Sequence, residues 1–232
     1  MKIGIIAAME EELVLLKEKL DLKEEVCCGQ FTFHVGRING VNVVLSRCGI
    51  GKVNAAVGAT MLLENFKPDY LLNIGVAGGF SEQVEIGDVV LSTEARHYDA
   101  DATPFEYEIG QIPQMPPNYE ADTRLLSLAR QVTLEGDDVA VHQGAILSGD
   151  AFIHTPGQVS YLSDKFPNAM AVEMEGAAIA QTGFLFNVPF LLIRSISDKV
   201  REAGNPAAYS QSLDKAAANS VQMALGILEN IH

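Results

Sequence analysis

Short apolar runs, each handing over to a segment of helical period, recur from Lys2 to the final helix with no linker between them, and this alternation decides most of what the chain can fold into. Lys2–Ala7 is a continuous apolar run, and Leu13, Leu16 and Leu20 follow at spacings of three and four, the pattern of a strand feeding a helix. Segments 25–28, 31–38 and 41–47 read as strands, and Asn39-Gly40 between the last two suits a two-residue hairpin turn. Gly49-Ile50-Gly51 then leads into an Ala- and Leu-rich helix over Val53–Phe66 that stops ahead of Pro68. Tyr70–Ile74 is a further strand, which the glycines of 75–79 break, and Val84–Leu91, 140–148, Ala169–Val172 and Phe190–Ile196 are others. Helices are expected over 122–131, over 156–164 with Thr155 as cap, over Glu175–Phe186 and over 206–230. Buried strands joined by helical crossovers require a mainly parallel central sheet covered by helices on both faces, and the hairpin at 31–47 makes it mixed. The expectation is one α/β domain over residues 1–232.

Charge narrows the partners. The chain has 16 Lys+Arg against 30 Asp+Glu, a formal charge of −14, and no basic run. Nucleic-acid binding is driven by cations that neutralise phosphates, so no nucleic-acid partner is expected. No run of 18 apolar residues is present and Glu10–Glu12 interrupts any signal-peptide core, so neither membrane insertion nor export is expected and the location is read as cytoplasmic. Cys27, Cys28 and Cys48 form neither a disulfide framework nor a CxxC pair. Residues 99–120, bearing prolines and tyrosines without regular period, suit a lid or a subunit contact.

The glycine-rich turns fail the usual fingerprints. Val53 follows Gly49-Ile50-Gly51-Lys52 where a phosphate loop needs Ser or Thr, and Gly75-Val76-Ala77-Gly78-Gly79 is not GxGxxG. They are either tight turns or places where a ligand approaches the backbone closely. His97-Tyr98-Asp99 with Asp101 has no metal-ligand spacing, no HExxH occurs, and there is no GxSxG elbow, so no metal is expected. Carboxylates carry the signal. Glu12 is expected in the first turn of the first helix, Glu173 and Glu175 flank Met174 where a strand hands over to a helix, and Asp198 ends the strand holding Arg194. Each alone is ordinary helix-end electrostatics, but all three sites fall just past strand carboxyl ends, where α/β sheets bind ligands.

Seven segments then resemble one family in order: residues 2–12, Cys48–Val53, Asn73–Gly79, Ala95–Asp101, Ser148–Ile153, Ala171–Ala180 and Arg194–Asp198. The chain resembles the 5′-methylthioadenosine/S-adenosylhomocysteine nucleosidases of the purine nucleoside phosphorylase superfamily, over essentially its whole length. The resemblance implies a nucleoside phosphorylase-like three-layer fold and hydrolysis of the adenine–ribose bond of methylthioadenosine, adenosylhomocysteine and 5′-deoxyadenosine, without a cofactor. It implies Asp198 as the acid that protonates adenine N7, aided by Ser197, and Glu12 as the carboxylate that activates water. Glu175 grips the ribose hydroxyls with Arg194 and Glu173 nearby, Phe152 stacks on adenine, and the Ile153 backbone bonds its edge. Met9, Ile50, Val76, Ala77, Gly78, Met174 and, as a softer assignment, Tyr209 line the pocket, and Pro113 reaches it from the partner subunit of a homodimer.

The chemistry agrees with those residue types. Adenine leaves poorly as an anion, so a carboxylic acid that protonates N7 assists departure, while carboxylates stabilise the cation-like sugar and a base on the opposite face delivers water with inversion. A phosphorylase, or a futalosine-type nucleosidase, is the alternative on the same fold. Phosphorylases of this type place Arg and Ser where this chain has Asn73 and Val76, leaving only Arg47 for a phosphate dianion.

Overall fold

Strand β1 (Lys2–Ala7) shows how the alternation becomes layers. Its side chains point to opposite faces in turn, so Ile3, Ile5 and Ala7 enter one apolar cluster while Ile6 enters the other. Gly4 leaves space for the neighbouring helix, since a Cβ there would meet Leu62 at 2.5 Å. The computed structural model describes residues 1–135, 139–202 and 205–231. Ala203 and Gly204, part of the loop expected to lead to Tyr209, and His232 lie outside the described residues.

After β1 come α1 (Val14–Lys19), β2 (Asp21–Cys28), β3 (Phe31–Ile38), β4 (Val41–Arg47), α2 (Lys52–Phe66), β5 (Tyr70–Gly79) and β6 (Val89–His97). The second half holds β7 (Tyr119–Glu120), α3 (Thr123–Ala129), β8 (Val141–Ser148), α4 (Pro156–Lys165), β9 (Ala169–Glu173), α5 (Gly176–Phe186), β10 (Phe190–Lys199) and α6 (Asn205–Asn230). The sheet runs β10-β6-β8-β9-β5-β1-β4-β3-β2, and β10 also pairs with β5, so one end of the sheet closes on itself. Pairing is mixed as expected: β1 is parallel to β4 and β5, and β10 is parallel to β5, whereas β2, β3 and β4 form an antiparallel meander. Helices α1, α3 and α6 contribute to the cluster on one face, and α2 with α5 to that on the other. Asn39 and Gly40 both take positive φ, at 50° and 82°, as the hairpin turn between β3 and β4 demands. Thr155 and Gln158 form a full capping box at the start of α4.

Three expectations about elements are corrected. The glycines of 75–79 do not break the strand, because β5 continues through them to Gly79, paired with β10 on one side and β9 on the other. The strand expected over Val84–Leu91 starts only at Val89, since Gly87 sits at φ 97° and the Glu85 N–H donates to Asp88, closing a turn there; it then runs on to His97. Glu12 lies in a turn ahead of α1, not within the helix. Among the described residues no helix is long and apolar enough to cross a membrane.

Candidate active site

A cavity of about 200 Å³ opens where β1, β5, β9 and β10 end. Each strand delivers a different group to it. Past β1, the chain turns so that the Glu12 carboxylate folds back onto the backbone: Oε2 accepts from the Ala8 and Met9 N–H groups, each at 2.9 Å, and Oε1 from that of Val76 at 3.2 Å. Glycine at 75 makes this possible, because a Cβ there would sit 2.7 Å from Oε1. Burial pushes the Glu12 carboxyl above its ordinary range, against the opposing pull of Arg194 and the backbone N–H groups.

Asp198 reaches the cavity through an irregularity in β10. Ile196 pairs with Ala77 and Asp198 with the next residue, Gly78, so Ser197 is extra and Asp198 is re-aimed. Its side chain is buried, and the Ser197 Oγ lies 2.9 Å from Asp198 Oδ1 and 3.2 Å from the Ala77 carbonyl oxygen. Gly78 allows close packing here, since a Cβ would lie 2.6 Å from Val200 Cγ1.

The two glutamates after β9 have separate duties. Glu173 accepts from the Glu175 and Gly176 N–H groups, from Ser148 Oγ and, at 2.7 Å, from Arg194. Arg194 in turn donates to both oxygens of Asn73 and is 2% exposed, so it lies behind the cavity wall instead of facing a ligand. Glu175 lines the cavity and accepts the Gly51 N–H at 2.7 Å. Burial, and after it the neighbouring Glu173, raises the Glu175 pKa to about 8.

That shift has a consequence for stability. Folding raises the pKa from 4.5 to about 8, so between those values the unfolded chain has released a proton that the folded chain still holds, and stability is lost as pH rises through the window. Glu175→Gln removes the titration. Its thermal midpoint is expected to gain on that of the wild type from about pH 5 to about pH 8, and a constant difference across this range would contradict the assignment.

Met9, Ile50, Val76, Ala77, Phe152, Met174 and Tyr209, which the resemblance places in the pocket, line the same cavity. Phe152 and Tyr209 meet edge to face at 5.9 Å, and the Tyr209 hydroxyl donates to Met9 Sδ at 3.4 Å. Ile153 lines a small adjoining recess with Phe152, Gly78 and Asp198. Pro113 is exposed and outside the cavity of its own chain. Ala8 and Val172 were missed; Ala8 follows β1 and Val172 lies just before the last residue of β9, each directly ahead of a residue that was recognised, and a small apolar side chain carries no signal of its own. His97, Asp99 and Asp101 turn to Gln181, Lys52 and Thr103 respectively, and among the described residues no group of His, Cys, Asp and Glu is placed to hold a metal ion.

A mixed sheet closed at one end, with a carboxylate-walled cavity at its carboxyl edge, is the arrangement of a nucleoside-cleaving enzyme, and residues 2–229 match the family model of the Phosphorylase superfamily. A 5′-methylthioadenosine/S-adenosylhomocysteine nucleosidase of Maridesulfovibrio salexigens is 67% identical over 100% of both chains. The structure of the Neisseria meningitidis nucleosidase of the same name, in complex with methylthio-immucillin-A, superposes with a TM-score of 0.95 at 39% identity over 99% of each chain. That of Colwellia psychrerythraea, in complex with adenine, does so with a TM-score of 0.95 at 41% identity over 100% of this chain and 96% of the other. Within the superfamily, this chain belongs to the 5′-methylthioadenosine/S-adenosylhomocysteine nucleosidases.

Proposed function

We propose that this cavity is where the chain carries out its family's reaction, the hydrolysis of the adenine–ribose N-glycosidic bond of 5′-methylthioadenosine and S-adenosylhomocysteine with release of adenine, and that 5′-deoxyadenosine is a further substrate. The observation that carries the reading is the convergence of Glu12, Glu175 and Asp198, far apart along the chain, on one cavity. Asp198 donates its proton to adenine N7 as the N9–C1′ bond breaks. Glu12 takes a proton from the water that attacks C1′ from the other face, and Glu175 accepts the ribose 2′-OH. Phe152 stacks on the purine and the Ile153 backbone meets its edge, while Met9, Met174 and Tyr209 surround the sugar and its 5′ substituent. With the acid and base on opposite faces, the sugar is released with inversion.

Water as the nucleophile is supported by the charges around the cavity. Among the described residues no Lys or Arg lines it; Arg194 is spent on Glu173 and Asn73, and Arg47 is exposed beside a different surface hollow lined by Phe31 and Asn54. A phosphate dianion would therefore meet the four carboxyl groups of Glu12, Glu173, Glu175 and Asp198, with no cation facing it among the described residues. Purified protein given methylthioadenosine is expected to release free methylthioribose at the same rate with and without phosphate. Formation of methylthioribose 1-phosphate, or a rate that depends on phosphate, would move the assignment to a phosphorylase.

The active unit is proposed to be a homodimer in which Pro113 of one protomer closes the partner's 5′-substituent pocket. Apolar side chains left exposed at the start of α2 and in the 99–118 loop support this: Ile50 is 52%, Val53 74% and Phe105 77% exposed.

A further inference from the structure

Beside the cavity, three segments distant in sequence are tied together by groups that do not line it. Lys52 opens α2; its backbone N–H donates to Asp150 Oδ1 at 2.8 Å and its Nζ to Asp99 Oδ1 at 2.5 Å. Asp99 Oδ2 accepts the Asp150 N–H at 3.0 Å, and the Tyr98 hydroxyl donates to the Ala151 carbonyl at 2.8 Å. The turn before α2, the end of β6 and the loop after β8 are thereby fixed to one another.

Two of these segments carry walls of the cavity. Ile50 lies two residues before Lys52, and Phe152 two residues after Asp150. Gly51, between Ile50 and Lys52, holds Glu175 through its N–H. The packing is close: Gly51 has φ +93°, and a Cβ there would lie 3.1 Å from Asp150 Oδ1. Both Asp99 and Asp150 present carboxylates to this turn, and the Lys52 ammonium offsets their charge with only 22% of its side chain exposed. A partly buried pair is screened by salt less than a surface pair and holds its geometry better.

We propose that Asp99, with Lys52, is a positioning residue for purine binding: their clasp sets the loop bearing Phe152 and Ile153 against the turn bearing Ile50 and Gly51, so that the adenine platform and the ribose-gripping Glu175 keep one relative geometry. The inference rests on the reading of the cavity given above. A small misplacement of a binding wall, even far from C1′, costs efficiency out of proportion to the shift.

Asp99→Asn and Lys52→Met, made in the full chain, test this with Lys52→Arg as the conservative variant. KM for methylthioadenosine and the Kd for adenine are expected to rise roughly tenfold in the first two, with kcat within about threefold of wild type. The thermal midpoint should move by only a few degrees, Lys52→Arg should retain most of the affinity, and the double variant should be no worse than either single one, because both remove the same interaction. Unchanged KM and adenine affinity would overturn the clasp, as would losses in KM and kcat that merely follow a collapse in thermal midpoint. An Asp198→Asn control separates the two readings. If that variant turns over normally the cavity assignment fails, whereas if it is inactive while Asp99→Asn binds normally only the clasp fails.

Discussion

Asp198→Asn is expected to cut turnover of methylthioadenosine by roughly two or more orders of magnitude, the range for a lost general acid, while adenine still binds. The asparagine keeps the bond to Ser197 and can offer an N–H to adenine N7, but it has no proton to transfer. The local geometry suits a side chain that changes protonation state during the reaction. Ser197 has one hydroxyl proton and two acceptors in reach, Asp198 Oδ1 and the Ala77 carbonyl. When Asp198 is neutral, the proton destined for N7 sits on Oδ2, and Oδ1 is left as a carbonyl-type acceptor that competes with the Ala77 carbonyl for the Ser197 hydroxyl; once the proton has gone to N7, the hydroxyl donates to the carboxylate. Rapid-quench measurement of a single turnover, together with adenine titration, checks the expectation. A purified variant that hydrolyses at near wild-type rate would remove Asp198 from the chemistry.

Around this acid the charges are arranged for a cation that exists only in the transition state. Glu173 on the cavity wall and Arg194 behind it form a buried pair, hydrogen-bonded to Asn73, Ser148 and the first N–H groups of α5, so their charges are accounted for without a ligand. Glu175 lines the cavity beside Glu173, and burial, followed by repulsion from Glu173, raises its pKa to about 8. A developing positive charge on the ribosyl ring stabilises the ionised form of Glu175. An ionised Glu175 therefore stabilises the cation-like transition state more than the neutral ground state.

Much of this was legible in the residues. The sheet and both helical layers follow from the alternation of apolar runs with helical period, and Glu12, Glu175 and Asp198 stood out because the sequence puts each at or just past the carboxyl end of an apolar strand. What the pattern did not carry was set by contacts between distant segments. The continuation of β5 through Gly79 depends on pairing with β9 and β10, which flanking glycines do not announce. The extra residue at Ser197 is visible only against its partner strand. Arg194, placed beside the ribose hydroxyls by resemblance, lies behind Glu173, because an arginine inside an apolar strand looks the same whether it faces a ligand or a buried carboxylate. Glu12 was recognised but its surroundings were not, since three N–H donors from two strand ends converge on it only in the fold.

Those donors shape the last expected result. Glu12→Gln should lower single-turnover hydrolysis by roughly three orders of magnitude, within the span for a lost base. Both carboxylate oxygens accept backbone N–H groups, so the carboxamide must turn its NH2 toward at least one of them, either the Ala8–Met9 pair or Val76. The variant therefore loses the base and also loosens its seat, and substrate affinity alone does not separate these effects from loss of the acid. A leaving group that needs no protonation does. From a riboside of p-nitrophenol the leaving group departs as the stable p-nitrophenolate anion, so its hydrolysis bypasses the proton from Asp198 but still requires an activated water. Asp198→Asn should recover most of its rate on such a substrate while Glu12→Gln stays slow. If both variants recover, Glu12 serves only to order the turn between β1 and α1, and the water must find its base elsewhere.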